Sequence, residues 1–131
     1  MTASDVGART RAGILVVDDE PSIVVAVQRV LKRDHDVVAE TSSQKALARI
    51  RNGERFDVII ADLMMPDLSG AELYAEIHKL DPKQAERIVF LTGGAFTPAG
   101  RDFLASVPNR WIGKPFEVEG LRREVADALR L

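Results

Sequence analysis

From residue 14 onward, short continuous apolar runs alternate with longer stretches in which apolar residues recur every three or four positions. Runs without a polar face suit strands covered on both sides, whereas three-and-four spacing lays one apolar stripe along a helix. Ile14 to Val17 predicts the first strand; after Asp18 and Asp19 comes a helix with Pro21 in its first turn and Ile23, Val24, Val27, Val30 and Leu31 as its inner stripe. A second strand is expected at Val37 to Ala39, then a helix from about Ser43 with Ala46, Leu47 and Ile50 inward and Asn52-Gly53 as its stop. Val58 to Ala61 predicts the third strand, ending at Asp62. The next helix begins near Ser69, which has capping-box spacing to Glu72, turns Leu73, Ile77 and Leu80 inward, and is broken by Asp81-Pro82. Ile88 to Leu91, ending at Thr92, and Trp111-Ile112 predict the last two strands. Between them lies a short fourth helix over Pro98 to Ser106 with Thr97 as cap; a fifth helix, carrying Leu121, Val125, Ala128 and Leu129, follows Lys114-Pro115.

Five strand-helix units in succession predict the α/β class, a doubly wound three-layer sandwich around a central parallel five-stranded sheet, with strand order 2-1-3-4-5. At 131 residues there is room for one domain, and 46% hydrophobic with 29% charged residues excludes disorder and coiled-coil classes. The polar, aperiodic stretch 1–13 reads as a flexible N-terminal leader and 14–131 as the domain, with no output domain after it. A net charge of −2 argues against direct nucleic-acid binding, and the lack of cysteine excludes disulfide frameworks and thiolate chemistry. No apolar run approaches the ~20 residues of a membrane span and no secretory signal is visible, so no membrane insertion and a cytoplasmic location are expected. His35 and His78 have no partner at metal or triad spacing and are expected to be solvated.

Asp18 and Asp19 follow the first strand, Asp62 the third, Thr92 the fourth and Lys114 the fifth. Ligands of open parallel sheets bind at the carboxyl ends of the strands, where the strand order reverses, between the first and third strands in this order. Each residue alone has an ordinary explanation in helix dipoles, caps or solvated strand ends. Acid, acid, hydroxyl and cation from four separate strand ends are hard to obtain from capping, and together they predict a phosphate and metal site. Clustered carboxylates need a divalent cation, and an all-oxygen shell favours Mg²⁺, or Mn²⁺, over Zn²⁺.

Val-Val-Asp-Asp-Glu-Pro at 16–21, Ile-Ile-Ala-Asp-Leu-Met-Met-Pro-Asp-Leu-Ser-Gly at 59–70, Leu-Thr-Gly-Gly at 91–94 and Gly-Lys-Pro-Phe at 113–116 closely resemble the receiver domains of two-component response regulators. The resemblance implies that Asp62 accepts a phosphoryl group from the phosphohistidine of a histidine kinase or a histidine phosphotransfer protein. It implies Asp19 as a direct metal ligand, Asp18 as a water-mediated one, and Asp62 and the backbone carbonyl of Met64 as further ligands. Thr92 would bond the phosphoryl oxygens, Lys114 would pair first with Asp62 and then with the phosphate, and the peptide to Pro115 would be cis. Output would pass to a downstream protein effector in trans, and a homodimer through the fourth helix, fifth strand and fifth helix is a further expectation.

Three departures qualify the resemblance. Trp111 stands where the family usually places a switch tyrosine or phenylalanine, and its larger ring swings inward less freely. Met64 and Gly94 flank the site without a side chain able to orient water, which predicts a long-lived phosphoaspartate. The segment from Thr92 to Gly100 is more similar to receivers attached to hybrid sensor kinases. A competing reading makes the chain an excised or weakly switching receiver that acts mainly in docking. An aspartate-nucleophile phosphatase ranks low, because its general-acid Asp would fall at Met64.

Overall fold

Strands that are apolar at every position need cover on both faces, and the helical stripes supply it. The computed structural model describes residues 11–93 and 97–130. Strands β1 (Gly13–Val17), β2 (Asp36–Glu40), β3 (Val58–Asp62), β4 (Ile88–Thr92) and β5 (Trp111–Gly113) form one sheet, ordered β2-β1-β3-β4-β5, with every pairing parallel. The helices are α1 (Pro21–Leu31), α2 (Ser43–Arg51), α3 (Gly70–Leu80), α4 (Pro82–Glu86), α5 (Pro98–Ser106) and α6 (Val118–Leu129). Successive strand residues serve opposite faces. Leu15, Val17, Ile59, Ala61 and Phe90 pack with Ala46, Leu47 and Ile50 of α2, Leu73 and Ile77 of α3, and Phe103 of α5. Ile14, Val16, Val58, Ile60, Val89 and Leu91 pack with Val24, Val27 and Leu31 of α1 and Leu121, Val125 and Ala128 of α6. The result is the doubly wound sandwich with the expected strand order.

Helix starts follow the local chemistry. Ser69 and Glu72 form the full capping box of α3, Thr97 caps α5, and Pro21 opens α1. The second helix takes Ser42 as its cap, one residue before the expected start, and Gly53 beyond its end adopts φ +97°, which only glycine tolerates easily. Asp81-Pro82 does end α3, but it also begins the unforeseen α4: the Asp81 carboxylate accepts from the Lys83 and Gln84 N–H groups while Pro82 fills the first position. Leu80, expected inward, is exposed, because α3 ends there and the buried Gln84 and Ala85 of α4 follow.

Three residues assigned to the leader belong to the packed domain. Arg11 pairs with Asp36 at 3.0 Å, Ala12 is buried, and Gly13 begins β1. His35 is half-buried rather than solvated: its Nδ1 accepts the Ala12 N–H at 3.2 Å, and burial lowers its pKa below 6.5. His78 is exposed and its ring lies 5.8 Å from that of Tyr74. Residues 1–10 and Gly94 lie outside the described residues. Among those described, no helix is long and apolar enough to cross a membrane.

Candidate functional site

β1 and β3 are neighbours in the middle of the sheet, so their carboxyl ends bring Asp18 and Asp62 together. Asp62 is the last residue of β3, in register with Leu91, and only 3% of it is exposed. Asp18 is fully buried; its N–H donates to the Glu40 carbonyl at 3.2 Å and its Oδ1 accepts the Glu20 N–H at 2.9 Å, fixing the turn into α1. Asp19 points to solvent at the mouth. Carboxylate oxygens of Asp18, Asp19 and Asp62 all lie within 4.8 Å of one another. Three hard, anionic oxygen donors at this separation fit a small divalent cation, and softer metals would need the nitrogen or sulfur ligands that the cluster lacks.

Thr92 ends β4 and is buried, and Lys114 follows β5 with its N–H bonded to the Thr92 carbonyl at 2.6 Å. The Lys114-Pro115 peptide is cis. The ammonium lies 3.1 Å from Asp18 Oδ2, 3.5 Å from Asp62 Oδ1 and 3.8 Å from Glu20 Oε1. It thus spans the acidic pair, with its shortest contact to Asp18 rather than to Asp62. Burial pulls the Lys114 pKa down, but the Asp18 hydrogen bond and the charges of Asp62, Asp18 and Glu20 outweigh it, and the net shift is upward.

Asp62 moves the other way from an ordinary carboxyl. Burial and then the charge of Asp18 push its pKa up from 3.8 to about 6, with partial relief from Lys114 and from the Met64 N–H, 3.3 Å from Oδ1. Beside it opens a cavity of about 220 Å³ lined by Asp19, Glu20, Met64, Thr92, Thr97 and Lys114, among others. The fold therefore brings together Asp18, Asp19, Asp62, Thr92, Lys114 and Met64. Trp111 stands apart, 45% exposed on β5, beside a notch it shares with Arg101, Leu104 and Ala105 of α5. Two contributors escaped the reading of the chain. Glu20 was legible only as the third acid of Asp-Asp-Glu, and Gly70, the last residue of the 59–70 motif, packs against the backbone of Asp62.

A parallel doubly wound sheet with this polar cluster at its strand-order reversal defines a flavodoxin-like α/β domain of the receiver type. Residues 14–126 match the response regulator receiver domain family, and the chain belongs to that family. It is 35% identical to the transcriptional regulatory protein SpaR of Bacillus subtilis, over 91% of this chain and 52% of SpaR. It is 28% identical to the sensor kinase CckA of Brucella abortus, over 90% of this chain and 12% of CckA, so relatives include kinases as well as transcriptional regulators. A solved receiver domain protein from Clostridium thermocellum superimposes with a TM-score of 0.76 at 31% identity, over 91% of this chain and 94% of that one. The chain spans between about a quarter and a half of the length of the transcriptional regulators it matches. It is thus a receiver domain of two-component signalling, with an acidic cluster able to hold a metal ion.

Proposed function

We propose that the domain takes a phosphoryl group onto Asp62 from the phosphohistidine of a histidine kinase or histidine phosphotransfer protein, in a reaction that requires Mg²⁺. The observation that carries this reading is the state of the Asp62 carboxylate. It ends a central strand, is crowded by Asp18, has its pKa raised to about 6, and borders a cavity that Thr92 and Lys114 also line. An Asp62 oxygen would form the new O–P bond as the donor's P–N bond breaks, the imidazole nitrogen keeping the bonding pair. Asp19, Asp62 and the Met64 carbonyl would hold the cation directly, and Asp18 through water. When bound, the cation neutralises the carboxylates and the phosphoryl oxygens and so lets two anions approach.

The chain's own cation does the remaining charge work. Lys114 already sits between Asp18 and Asp62, so a short shift would bring its ammonium onto a phosphoryl oxygen, while the Thr92 hydroxyl donates to another. Met64 is 58% exposed and offers no group that orients water. A phosphoaspartate outlasting minutes is the expected result in a ³²P decay assay, and loss within minutes would contradict it.

A titration with Mg²⁺ and then beryllofluoride, followed by Trp111 fluorescence and amide NMR, tests the reading. Both additions should change the spectra of the native protein, and the beryllofluoride response should vanish in Asp62→Asn. An unresponsive native protein would overturn the proposal. A second reading, a weakly switching docking module, draws support from Trp111, whose exposed ring and neighbouring notch offer an apolar contact whether or not Asp62 is modified.

A further inference from the structure

Gly70 opens α3 directly behind the backbone of Asp62. A Cβ here would stand 2.6 Å from the Asp62 carbonyl oxygen, 2.8 Å from Leu63 Cα and 3.3 Å from the Asp62 carbonyl carbon. These are main-chain atoms, and they are held from the far side as well. Leu63 donates its N–H to the Leu91 carbonyl at 2.8 Å, and Asp62 is in register with Leu91. On the near side, Gly70 donates its N–H to the Leu63 carbonyl at 2.9 Å, closing the 63–70 loop, and the Ser69–Glu72 capping box fixes the start of the helix at 3.1 and 3.0 Å. Met64 lies inside that closed loop, and its N–H reaches back to Asp62 Oδ1.

Gly70 has no positive φ that would demand glycine, and alanine is normally the better helix former. The contact is what excludes a side chain. Gly113 and Gly120 show the contrast, since a Cβ at either would meet nothing within 4 Å.

We propose that Gly70 is a positioning residue of the phosphoacceptor site. Its missing side chain lets α3 rest on the Asp62–Leu63 peptide and so sets the separation between the Asp62 carboxylate and the Met64 carbonyl. This rests on the reading of both groups as cation ligands. Any side chain at 70 must push the helix start and the closed loop away from β3, because β3 itself is pinned within the sheet.

The test compares Mg²⁺ affinity, read by amide NMR, in the native protein, Gly70→Ala, Gly120→Ala and Val125→Ala, with folding checked by circular dichroism. Gly70→Ala should bind Mg²⁺ about tenfold or more weakly, the size of loss usual when a ligand's support is disturbed. Gly120→Ala should match the native affinity. Val125→Ala, a cavity in the opposite core layer, should lower the melting temperature while folded molecules keep native affinity, which separates positioning from stability. A folded Gly70→Ala with native affinity would overturn the inference. Should Gly70→Ala not fold, Ser69→Ala loosens the same helix start without adding an atom; a loss of about twofold is expected, and unchanged affinity would overturn the inference. Absence of Mg²⁺ binding in the native protein would overturn the underlying functional reading, a result distinct from either.

Discussion

At the amino ends of the strands, polar groups meet partners of opposite character. Asp57 accepts the Gly13 N–H at 2.8 Å, Arg11 pairs with Asp36, and Gln84 exchanges two hydrogen bonds with the Phe56 backbone, at 2.8 and 3.0 Å. Asn109 donates to the Ala85 and Ile88 carbonyls at 2.9 and 2.8 Å. At the carboxyl ends, by contrast, Asp18, Asp19 and Asp62 share a small space with Lys114 as the cation among them. The apolar layers between the two ends are continuous, so the difference lies in side-chain charge and not in the scaffold. The amino end meets these polar groups within the chain, the buried Asn109 Oδ1 excepted, whereas the carboxyl end gathers three carboxylates around one ammonium. The crowded acidic end is the one at which we propose that phosphoryl transfer takes place.

The contrast can be broken most severely at Asp62. Asp62→Asn should abolish beryllofluoride binding and phosphoryl incorporation, while in chelator it should make the protein more stable, by on the order of 2 kcal/mol near neutral pH once screening is allowed for. Urea unfolding in EDTA checks the second outcome, and a destabilised variant would show that the carboxylates are not in conflict. The sign follows from the raised pKa. Stability contributed by protonated Asp62 is full below 3.8 and is lost as pH rises through about 6, so the gap between native protein and variant should widen from acid to neutral pH. Mg²⁺ should narrow it.

At the opposite end, Gln84→Ala should cost roughly 1 kcal/mol, because it removes two hydrogen bonds to the part-buried Phe56 backbone, and should leave Mg²⁺ affinity unchanged. A change in affinity would show that the two ends are coupled. The smallest expected effect is at His35. Burial holds its pKa below 6.5, with Asp34 opposing and Arg11 assisting, and its Nδ1 must stay unprotonated to accept the Ala12 N–H. Its contribution is therefore full above pH 6.5 and lost as pH falls, the reverse of Asp62. The stability difference between native protein and His35→Leu should shrink toward acid by at most about 1 kcal/mol, the size of one hydrogen bond. Urea titrations at several pH values would show it.

Most of the scaffold was legible in the chain because its signals are local. Apolar runs placed every strand to within a residue or so, and Ser69, Thr97 and Gly53 marked helix ends by cap chemistry. The short α4 was not legible, since Asp81-Pro82 reads equally as a stop and as a start, and only tertiary burial of Gln84 and Ala85 decides. The clustering of Asp18, Asp19, Asp62, Thr92 and Lys114 was likewise legible, from polar residues at strand ends. Its internal pairing was not: that Lys114 leans toward Asp18, that His35 accepts a hydrogen bond from Ala12, and that Gly70 touches Asp62 all depend on distances across the fold.

On our proposal, Asp62 is the group that accepts the phosphoryl group, with a divalent cation beside it. Incubation with acetyl phosphate, with Mg²⁺ or with EDTA, followed by intact-mass measurement and borohydride reduction to map the acyl phosphate, tests it directly. A single phosphoryl adduct at Asp62 that forms only with Mg²⁺ is the predicted result. No adduct, an adduct that persists in Asp62→Asn, or one indifferent to EDTA would contradict it.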